Sequence, residues 1–169
     1  ASLGVRRLIL SGDPGRYRGL LRRRLAEVWE AEVFERYGLT EAGSVAGECP
    51  SHPEGVHVLE DAFIAEVIDP ETRETLPDGG RGELVLTTLG RSASPIVRYR
   101  TGDLVTLVRG QPCGCGRSGG LLAGEIRRRG DLRPGEKAAG PGIFSRPDPQ
   151  CAAGGSPPPG GWRDEEPLS

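Results

Sequence analysis

The chain has 169 residues with 22 basic and 24 acidic side chains, and its formal net charge of −2 gives no overall field for nucleic acid or an anionic membrane. No stretch approaches the roughly 18 consecutive apolar residues of a membrane span, and no charged start followed by an apolar run marks a secretory signal. We therefore expect a soluble, cytoplasmic protein. Because the chain contains no Met, we also expect a piece of a longer protein or a mature fragment.

The first forty residues predict a parallel strand, helix and strand. Residues 5–10 form a short apolar run that the turn residues 11–15 end, and residues 32–37 form a second strand that ends at Gly38. The residues between them recur at the spacing of an amphipathic helix that covers one face of a sheet. Its apolar positions are Leu21, Leu25, Val28 and Trp29. Such a run implies a right-handed crossover between parallel strands.

Two loops follow the two predicted strands. In an open parallel sheet, ligands bind in the crevice beyond the carboxyl ends of the strands. Residues 12–14 and 38–41 both occupy such positions. We therefore expect these two loops to be neighbours at one rim of the sheet.

The next part of the chain predicts short strands joined by turns. The strand candidates cover residues 63–68, 83–89, 96–99 and 104–108, and the last two are separated by a turn at residues 101–103. This pattern predicts either an antiparallel sheet or a small barrel. The fold class is thus α/β, with a parallel strand-helix-strand unit followed by a β-rich antiparallel subdomain.

Order is expected to fade beyond Arg117. Residues 134–169 are rich in Gly and Pro and poor in large apolar side chains, so they cannot bury enough surface to offset their ordering entropy. We therefore divide the chain into a domain over residues 1–117, a degenerate hinge-like segment over 118–133 and a disordered tail over 134–169.

Four motifs in register carry a resemblance to a known family. They read FERYGLTE at residues 34–41, GVHVLED at 55–61, GELV at 82–85 and RYRTGD at 98–103. Together they resemble successive motifs of the phenylacetate-CoA ligase family, which belongs to the adenylate-forming enzymes with the acyl-CoA synthetases. The resemblance runs from about Leu8 to Arg117 and implies the later part of a large N-terminal AMP-binding domain.

The resemblance implies roles for individual residues. The loop formed by Gly12, Asp13 and Pro14 would line the adenine, with Asp13 in place of the family's Glu. Tyr37 and Gly38 would pack on or near that base. Thr40 would bond the α-phosphate, Glu41 would hold a Mg²⁺ ion, and Asp103 would accept hydrogen bonds from the ribose. A single Glu suffices because Mg²⁺ completes its octahedron with phosphate oxygens and water.

The cysteines predict a second site, for zinc. Cys113 and Cys115 place two thiols on a Gly-rich turn, and Cys49 with His57 would complete a tetrahedral set. Members of the resembled family often carry such a Cys, His, Cys, Cys set. His52 competes with His57 for the histidine position, and free thiols in a reducing cytosol remain the alternative. Cys151 lies in the predicted tail and is not part of the site.

The resemblance also implies the chemistry, namely ATP-dependent activation of an aromatic carboxylic acid as an adenylate and its transfer to coenzyme A. The triphosphate-gripping loop expected before Ala1 and the C-terminal domain with its lysine are missing, and the hinge motif survives at best as residues 128–131. An altered reading frame would explain the tail. We therefore expect a ligase fragment that is inactive alone. The alternative is a non-catalytic remnant or a zinc-stabilised binding module. The identity of the acid and the oligomeric state stay open.

Overall fold

The computed structural model describes residues 4–12, 18–110 and 112–141. Within them, one α-helix, α1, covers Arg18–Trp29, and a 3-10 turn covers Arg129–Asp131. The strands are β1 Arg7–Ser11, β2 Glu32–Leu39, β3 Gly43–Cys49, β4 His52–Val58, β5 Phe63–Ile68, β6 Gly80–Thr88, β7 Tyr99–Val108, β8 Leu121–Arg128 and β9 Gly140–Pro141. No helix among the described residues is long and apolar enough to cross a membrane.

The nine strands of the described part form a single mixed sheet. Its order is β1-β2-β3-β4-β8-β7-β6-β5, and the short β9 pairs with β6 beside this path. Only β1 and β2 pair in parallel, while every other pairing between these strands is antiparallel. The predicted fold class is therefore confirmed, and of the two β-rich alternatives the sheet is found rather than a small barrel.

The strand-helix-strand unit forms as predicted, but the side of its helix that meets the sheet differs from the predicted side. The face of α1 that is half-buried consists of Arg22, Leu25 and Ala26. The predicted apolar positions Val28 and Trp29 are instead 71% and 42% exposed. The reason is an ion pair: Arg22 donates to both carboxylate oxygens of Glu48 on β3, at 2.7 and 2.8 Å, and this bond turns its side of the helix toward the sheet.

The β-rich part agrees closely at β5 and differs at β7. Strand β5 spans the predicted residues 63–68. Of the strand predicted over 96–99 only Tyr99 lies in a strand, and from there the chain continues without a break through the strand predicted over 104–108 as β7. The predicted turn at residues 101–103 is an irregularity inside it, where the pairing with β6 shifts register between Glu83 and Val85. Gly102 takes a φ of 75° there, which lets the strand kink without ending.

Strands β3, β4 and β8 and the two-residue β9 were not predicted. Strands β3 and β4 contain small and polar residues among their apolar ones, and β8 has only the short apolar run 121–123. Strand β8 lies within residues 118–133, the predicted hinge-like segment, and pairs with both β4 and β7. Order therefore extends past Arg117. Of the predicted tail, residues 134–141 are described, and the remainder, residues 142–169, lies outside the described residues.

The core lies against the antiparallel part of the sheet. It is an aliphatic cluster with one aromatic ring, Phe63, and its central side chains are almost fully removed from solvent. The largest fully buried side chains of this cluster are Leu84, Leu86, Leu107 and Leu122. This packing fixes β4, β8, β7 and β6 side by side, and two of the predicted site residues lie on these strands, His57 on β4 and Asp103 on β7.

Candidate functional site

Residues from separate motifs line one cavity of about 170 Å³. Gly12 follows β1, Tyr37 and Gly38 lie near the end of β2, and Asp103 lies on β7. The parallel pairing of β1 with β2 brings the first three together, because Ser11 lies beside Arg36 in the register. The cavity therefore collects four residues of the predicted nucleotide site. Asp13 and Pro14, predicted for the same site, lie outside the described residues.

Asp103 and Tyr37 are bonded to each other across this cavity. The Tyr37 hydroxyl donates a hydrogen bond of 2.7 Å to Asp103 Oδ2, and Asp103 is only 6% exposed. Burial, and then the hydrogen bond to Asp103, raise the pKa of Tyr37 well above its ordinary value. The phenol is thus a fixed neutral donor at physiological pH, and the carboxylate is an acceptor at the cavity wall.

Gly38 permits the sharp approach of two strands beside the cavity. A Cβ atom built on it would lie 2.5 Å from the carbonyl oxygen of Gly43, at the start of β3. Any side chain at this position would therefore force the β2-β3 connection apart. That connection contains Thr40 and Glu41, so Gly38 also determines where these two residues lie.

Thr40 and Glu41 lie in the turn after β2 and not in the cavity wall. Both are exposed, and the turn is closed by a hydrogen bond of 3.2 Å from the Ala42 N–H to the Leu39 carbonyl. The Glu41 carboxylate accepts a hydrogen bond of 3.1 Å from the Tyr99 hydroxyl. An exposed carboxylate next to a hydroxyl suits Mg²⁺, which keeps several waters and uses few protein ligands.

The cavity includes residues that the sequence prediction did not assign. Strand β8 contributes Gly124, Glu125, Ile126 and Arg128 to its wall. Arg128 lies beside Asp103 in the β7-β8 register, and it begins the segment 128–131 that the sequence offered as a remnant of the hinge motif. A strand prediction for β8 would have found this residue, since side chains alternate between the two faces along a strand.

The four predicted zinc ligands also converge. Their ligand atoms all lie within 4.8 Å of one another. Cys49 Sγ lies 3.4 Å from His57 Nε2 and 3.6 Å from Cys113 Sγ, and Cys115 Sγ lies 3.7 Å from His57 Nε2. Tetrahedral zinc, with bonds of about 2.3 Å to sulfur and about 2.0 Å to nitrogen, sets these edges at about 3.5 to 3.8 Å. The described residues therefore fit a zinc ion.

Their placement explains the convergence. Cys49 ends β3 and His57 lies on the neighbouring β4, while Cys113 and Cys115 lie in the loop that leads from β7 to β8. The Cys113 N–H donates a hydrogen bond of 2.9 Å to the Arg117 carbonyl, which closes this loop into a tight turn. His57 is the histidine found in the cluster. The side chain of His52, its competitor in the sequence, is not among those described.

The surroundings of Cys49 and Cys115 shift the pKa values of these two thiols in opposite directions. Burial, and then hydrogen bonding with Cys113 and Cys115, raise the pKa of Cys49 to about 12. Burial opposes ionisation of Cys115 as well, but hydrogen bonds from the Arg117 backbone and from the other two thiols outweigh it and lower its pKa. Because a thiolate is the form that binds metal, the thiols of the cluster would release their protons when an ion binds.

Comparison with known proteins shows which proteins this chain resembles. The chain is 36% identical over 132 residues to phenylacetate-coenzyme A ligase of Thermus thermophilus, a match that covers 77% of this chain and 29% of that protein. It is 51% identical over 79 residues to the Aromatoleum evansii enzyme of the same name, covering 46% and 18%. The chain is a partial homologue of the phenylacetate-CoA ligases. The resemblance stated from the motifs is thereby confirmed.

Solved structures agree with this relationship. An open conformation of 2-hydroxyisobutyryl-CoA ligase, in complex with 2-HIB-AMP and CoA, matches with a TM-score of 0.68 at 28% identity, over 78% of this chain and 29% of that one. The same enzyme in its postadenylation state matches with a TM-score of 0.69. No family model matches the chain. The chain thus spans less than a third of the length of each of these relatives.

Proposed function

We propose that the chain forms the adenosine-binding part of an ATP-dependent ligase that joins an aromatic carboxylic acid of the phenylacetate type to coenzyme A. The observation that carries the proposal is the cavity shared by Gly12, Tyr37, Gly38 and Asp103. Motifs up to 91 positions apart in the numbering meet there, and this convergence supports the roles that the family resemblance implies for them. Confinement of the ligase to the cytoplasm is part of the proposal, because reduced thiols persist in that compartment.

The reaction proposed for the whole ligase has two steps, formation of an acyl adenylate and transfer of the acyl group to coenzyme A. An oxygen of the acid attacks the α-phosphorus of ATP and pyrophosphate leaves, which yields the acyl adenylate. The thiol of coenzyme A then loses its proton and attacks the acyl carbon, and AMP leaves. Little covalent chemistry is asked of the protein in the first step, so positioning and electrostatics supply most of the acceleration.

The cavity residues would bind the adenosine. Asp103 is a buried acceptor, and carboxylate oxygens are the partners that ribose hydroxyls require. The Tyr37 hydroxyl would compete with the ribose for Asp103 Oδ2 and keep that oxygen hydrogen-bonded before the nucleotide arrives. The bases of nucleotides are flat and apolar on their faces, so the Tyr37 ring and the small surface at Gly38 suit the adenine.

Two metal ions belong to the proposal. Glu41 would hold Mg²⁺ with Thr40 beside it, and the ion would supply charge neutralisation at the phosphates. Cys49, His57, Cys113 and Cys115 would hold zinc in a closed structural site, because a site with four protein ligands leaves no open position for a substrate. Such an ion would tie the end of β3 to the loop before β8.

Binding of AMP in the presence of a chelator tests the adenosine site. The wild-type chain is expected to bind AMP in isothermal titration calorimetry, and Asp103→Ala is expected to weaken this binding by at least about tenfold through loss of charged hydrogen bonds. Asp61→Ala is the matched control, because Asp61 is exposed and does not line the cavity. Absence of AMP binding by the wild type would refute the proposal.

We also propose that these 169 residues alone do not catalyse the ligase reaction, since they match less than a third of the length of the ligases. Incubation with ATP, Mg²⁺, phenylacetate and coenzyme A should release no AMP and no acyl-CoA. Detection of either product from the isolated chain would contradict this part. A second candidate is a zinc-stabilised binding module that retains the fold without turnover, which the convergence of the four metal ligands also supports. It differs from the ligase proposal because it predicts zinc binding without AMP binding.

A further inference from the structure

Glu41 is held at two of its atoms by one distant segment. Its carbonyl oxygen accepts a hydrogen bond of 2.9 Å from Arg91 Nη1, and its carboxylate Oε1 accepts one of 3.1 Å from the Tyr99 hydroxyl. These partners lie 50 and 58 positions away in the chain, on the segment that leads into β7. An exposed Glu in a turn ordinarily has free rotamers, so two restraints on this one are a specific feature of the turn.

Tyr99 is itself placed by an uncommon backbone conformation. Arg98, the residue before it, has a φ of 45°, in the left-handed region that residues other than Gly seldom adopt. Two hydrogen bonds hold Arg98 there. Its N–H donates a hydrogen bond of 2.9 Å to Thr87 Oγ1, and its Nε donates one of 3.2 Å to Glu66 Oε2. Tyr99 then begins β7 opposite Leu86. The neighbouring strands β5 and β6 thus determine where the phenol lies.

The chemistry of a phenol suits a partner of a metal-binding carboxylate. It donates one hydrogen bond without adding charge, and the carboxylate retains acceptor sites on both oxygens for a cation. A Lys or Arg at the same place would neutralise the carboxylate and compete with the cation.

We propose that Tyr99 is a positioning residue for divalent-cation binding: through its hydroxyl it holds the Glu41 carboxylate where the cation that accompanies ATP binds. This inference rests on the proposed function, because it needs the nucleotide at the cavity and Glu41 as the ligand. It assigns Tyr99 no contact with the nucleotide. The two tyrosines of the site then have separate tasks, Tyr37 at Asp103 and Tyr99 at Glu41.

The test measures ATP affinity of the full chain with saturating Mg²⁺ and with a chelator, and takes the ratio. Tyr99→Phe removes only the hydroxyl and is expected to reduce this Mg²⁺-dependent gain about twofold, because the lost hydrogen bond is exposed to solvent. Its AMP affinity in chelator and its thermal midpoint are expected to match the wild type. Val97→Ala is the matched control, since Val97 is 76% exposed and belongs to the same segment.

A double variant separates positioning from a structural role. In a Glu41→Gln background, Tyr99→Phe should cause no further change in the Mg²⁺-dependent gain, because the group through which it acts is already altered. The inference is overturned if the gain in Tyr99→Phe equals that of the wild type, if the two substitutions are additive, or if the wild type shows no Mg²⁺ dependence. Failure of AMP binding by the wild type instead removes the proposed function and the inference with it.

Discussion

Tyr37 and Asp103 are 66 positions apart in the chain, yet the hydroxyl of the first donates a 2.7 Å hydrogen bond to the carboxylate of the second. Tyr99 and Glu41 form the reverse pair, with the tyrosine on β7 and the carboxylate after β2. Each of two motifs therefore supplies one carboxylate and one phenol, and each phenol serves the carboxylate of the other motif. The two pairs cross-link β2 and its turn to β7, although these elements are not neighbours in the sheet.

The Tyr37 pair should contribute measurably to stability. Tyr37→Phe removes a hydrogen bond to a buried charged group, so the free energy of unfolding should fall by about 1 to 3 kcal/mol. Urea unfolding followed by circular dichroism measures the change. Tyr99→Phe is the matched control: its hydrogen bond to Glu41 is exposed to solvent, and its loss should stay below about 0.5 kcal/mol. Equal losses in the two variants would contradict the assignment.

The same pair predicts a dependence of stability on alkaline pH. The folded state raises the pKa of Tyr37 above the value of about 10 of an unfolded chain, so the folded protein holds this proton more tightly. Stability from this group is therefore complete below pH of about 10 and is lost as the pH rises further. Unfolding free energies measured across this range should fall more steeply in the wild type than in Tyr37→Phe. Parallel curves would show that the phenol is not linked to folding.

Gly38 offers a test of the close approach at the β2-β3 connection. Gly38→Ala places a Cβ against the Gly43 carbonyl, and the resulting backbone shift should cost about 1 to 3 kcal/mol of unfolding free energy. Gly47→Ala on β3 is the control, since nothing lies within 4 Å of its added Cβ. The first variant should also weaken Mg²⁺-dependent ATP binding, because it moves Glu41. If Gly38→Ala proves as stable as Gly47→Ala, the close approach of the two strands is not required for folding.

The ion pair between α1 and β3 should anchor the helix. Glu48 has a side chain only 1% exposed, and it accepts both Arg22 bonds and one of 2.7 Å from the Glu35 N–H. Arg22→Met leaves a buried carboxylate with one partner fewer and should cost about 3 kcal/mol, whereas the exposed Arg23→Met should be nearly neutral. The double variant Arg22→Met with Glu48→Met should recover much of this loss. No recovery would mean that Glu48 has a separate structural task.

Metal content is the sharpest test of the cysteine cluster. The purified chain should contain about one zinc ion, as one closed four-ligand site requires, and chelation should expose three thiols together. Cys113→Ser and His57→Ala should each lower the zinc content, whereas Cys151→Ser, outside the described residues, should leave it unchanged. Zinc should also raise the unfolding midpoint, because it binds the folded state. A folded chain that holds no zinc and has freely reactive thiols would exclude the site.

Sequence alone was sufficient for the elements with strong periodic patterns. Strand β5 was predicted at its observed bounds because its apolar residues form a run between turn residues. The parallel β1-α1-β2 unit followed from the change of period between strand and helix. The residues that meet in the cavity could be named because motifs carried them, and not because any local pattern predicted their distance.

The elements that sequence missed are those determined by tertiary contacts. Strand β8 ends in the charged residues Arg127 and Arg128, and only its place between β4 and β7 makes it a strand. The α1 face was predicted from its apolar residues, but the Arg22 ion pair with Glu48 decides which side meets the sheet. Tyr99 was missed for the same reason, since a hydroxyl in a strand gives no sign of its acceptor.

The place of β8 in the sheet has a consequence for the order of folding. Strands β1 to β4 form one hydrogen-bonded group and β5 to β7 another, and in the described residues β8 is the strand that pairs with both. When the chain has left the ribosome only as far as residue 110, it can therefore form two half-sheets, each with an open edge, at β4 and at β7. The cavity, which takes its wall from both halves and from β8, can close only after residue 128 has emerged. We therefore expect these two strand edges to stay open during synthesis until β8 follows, at about 5 to 20 residues per second.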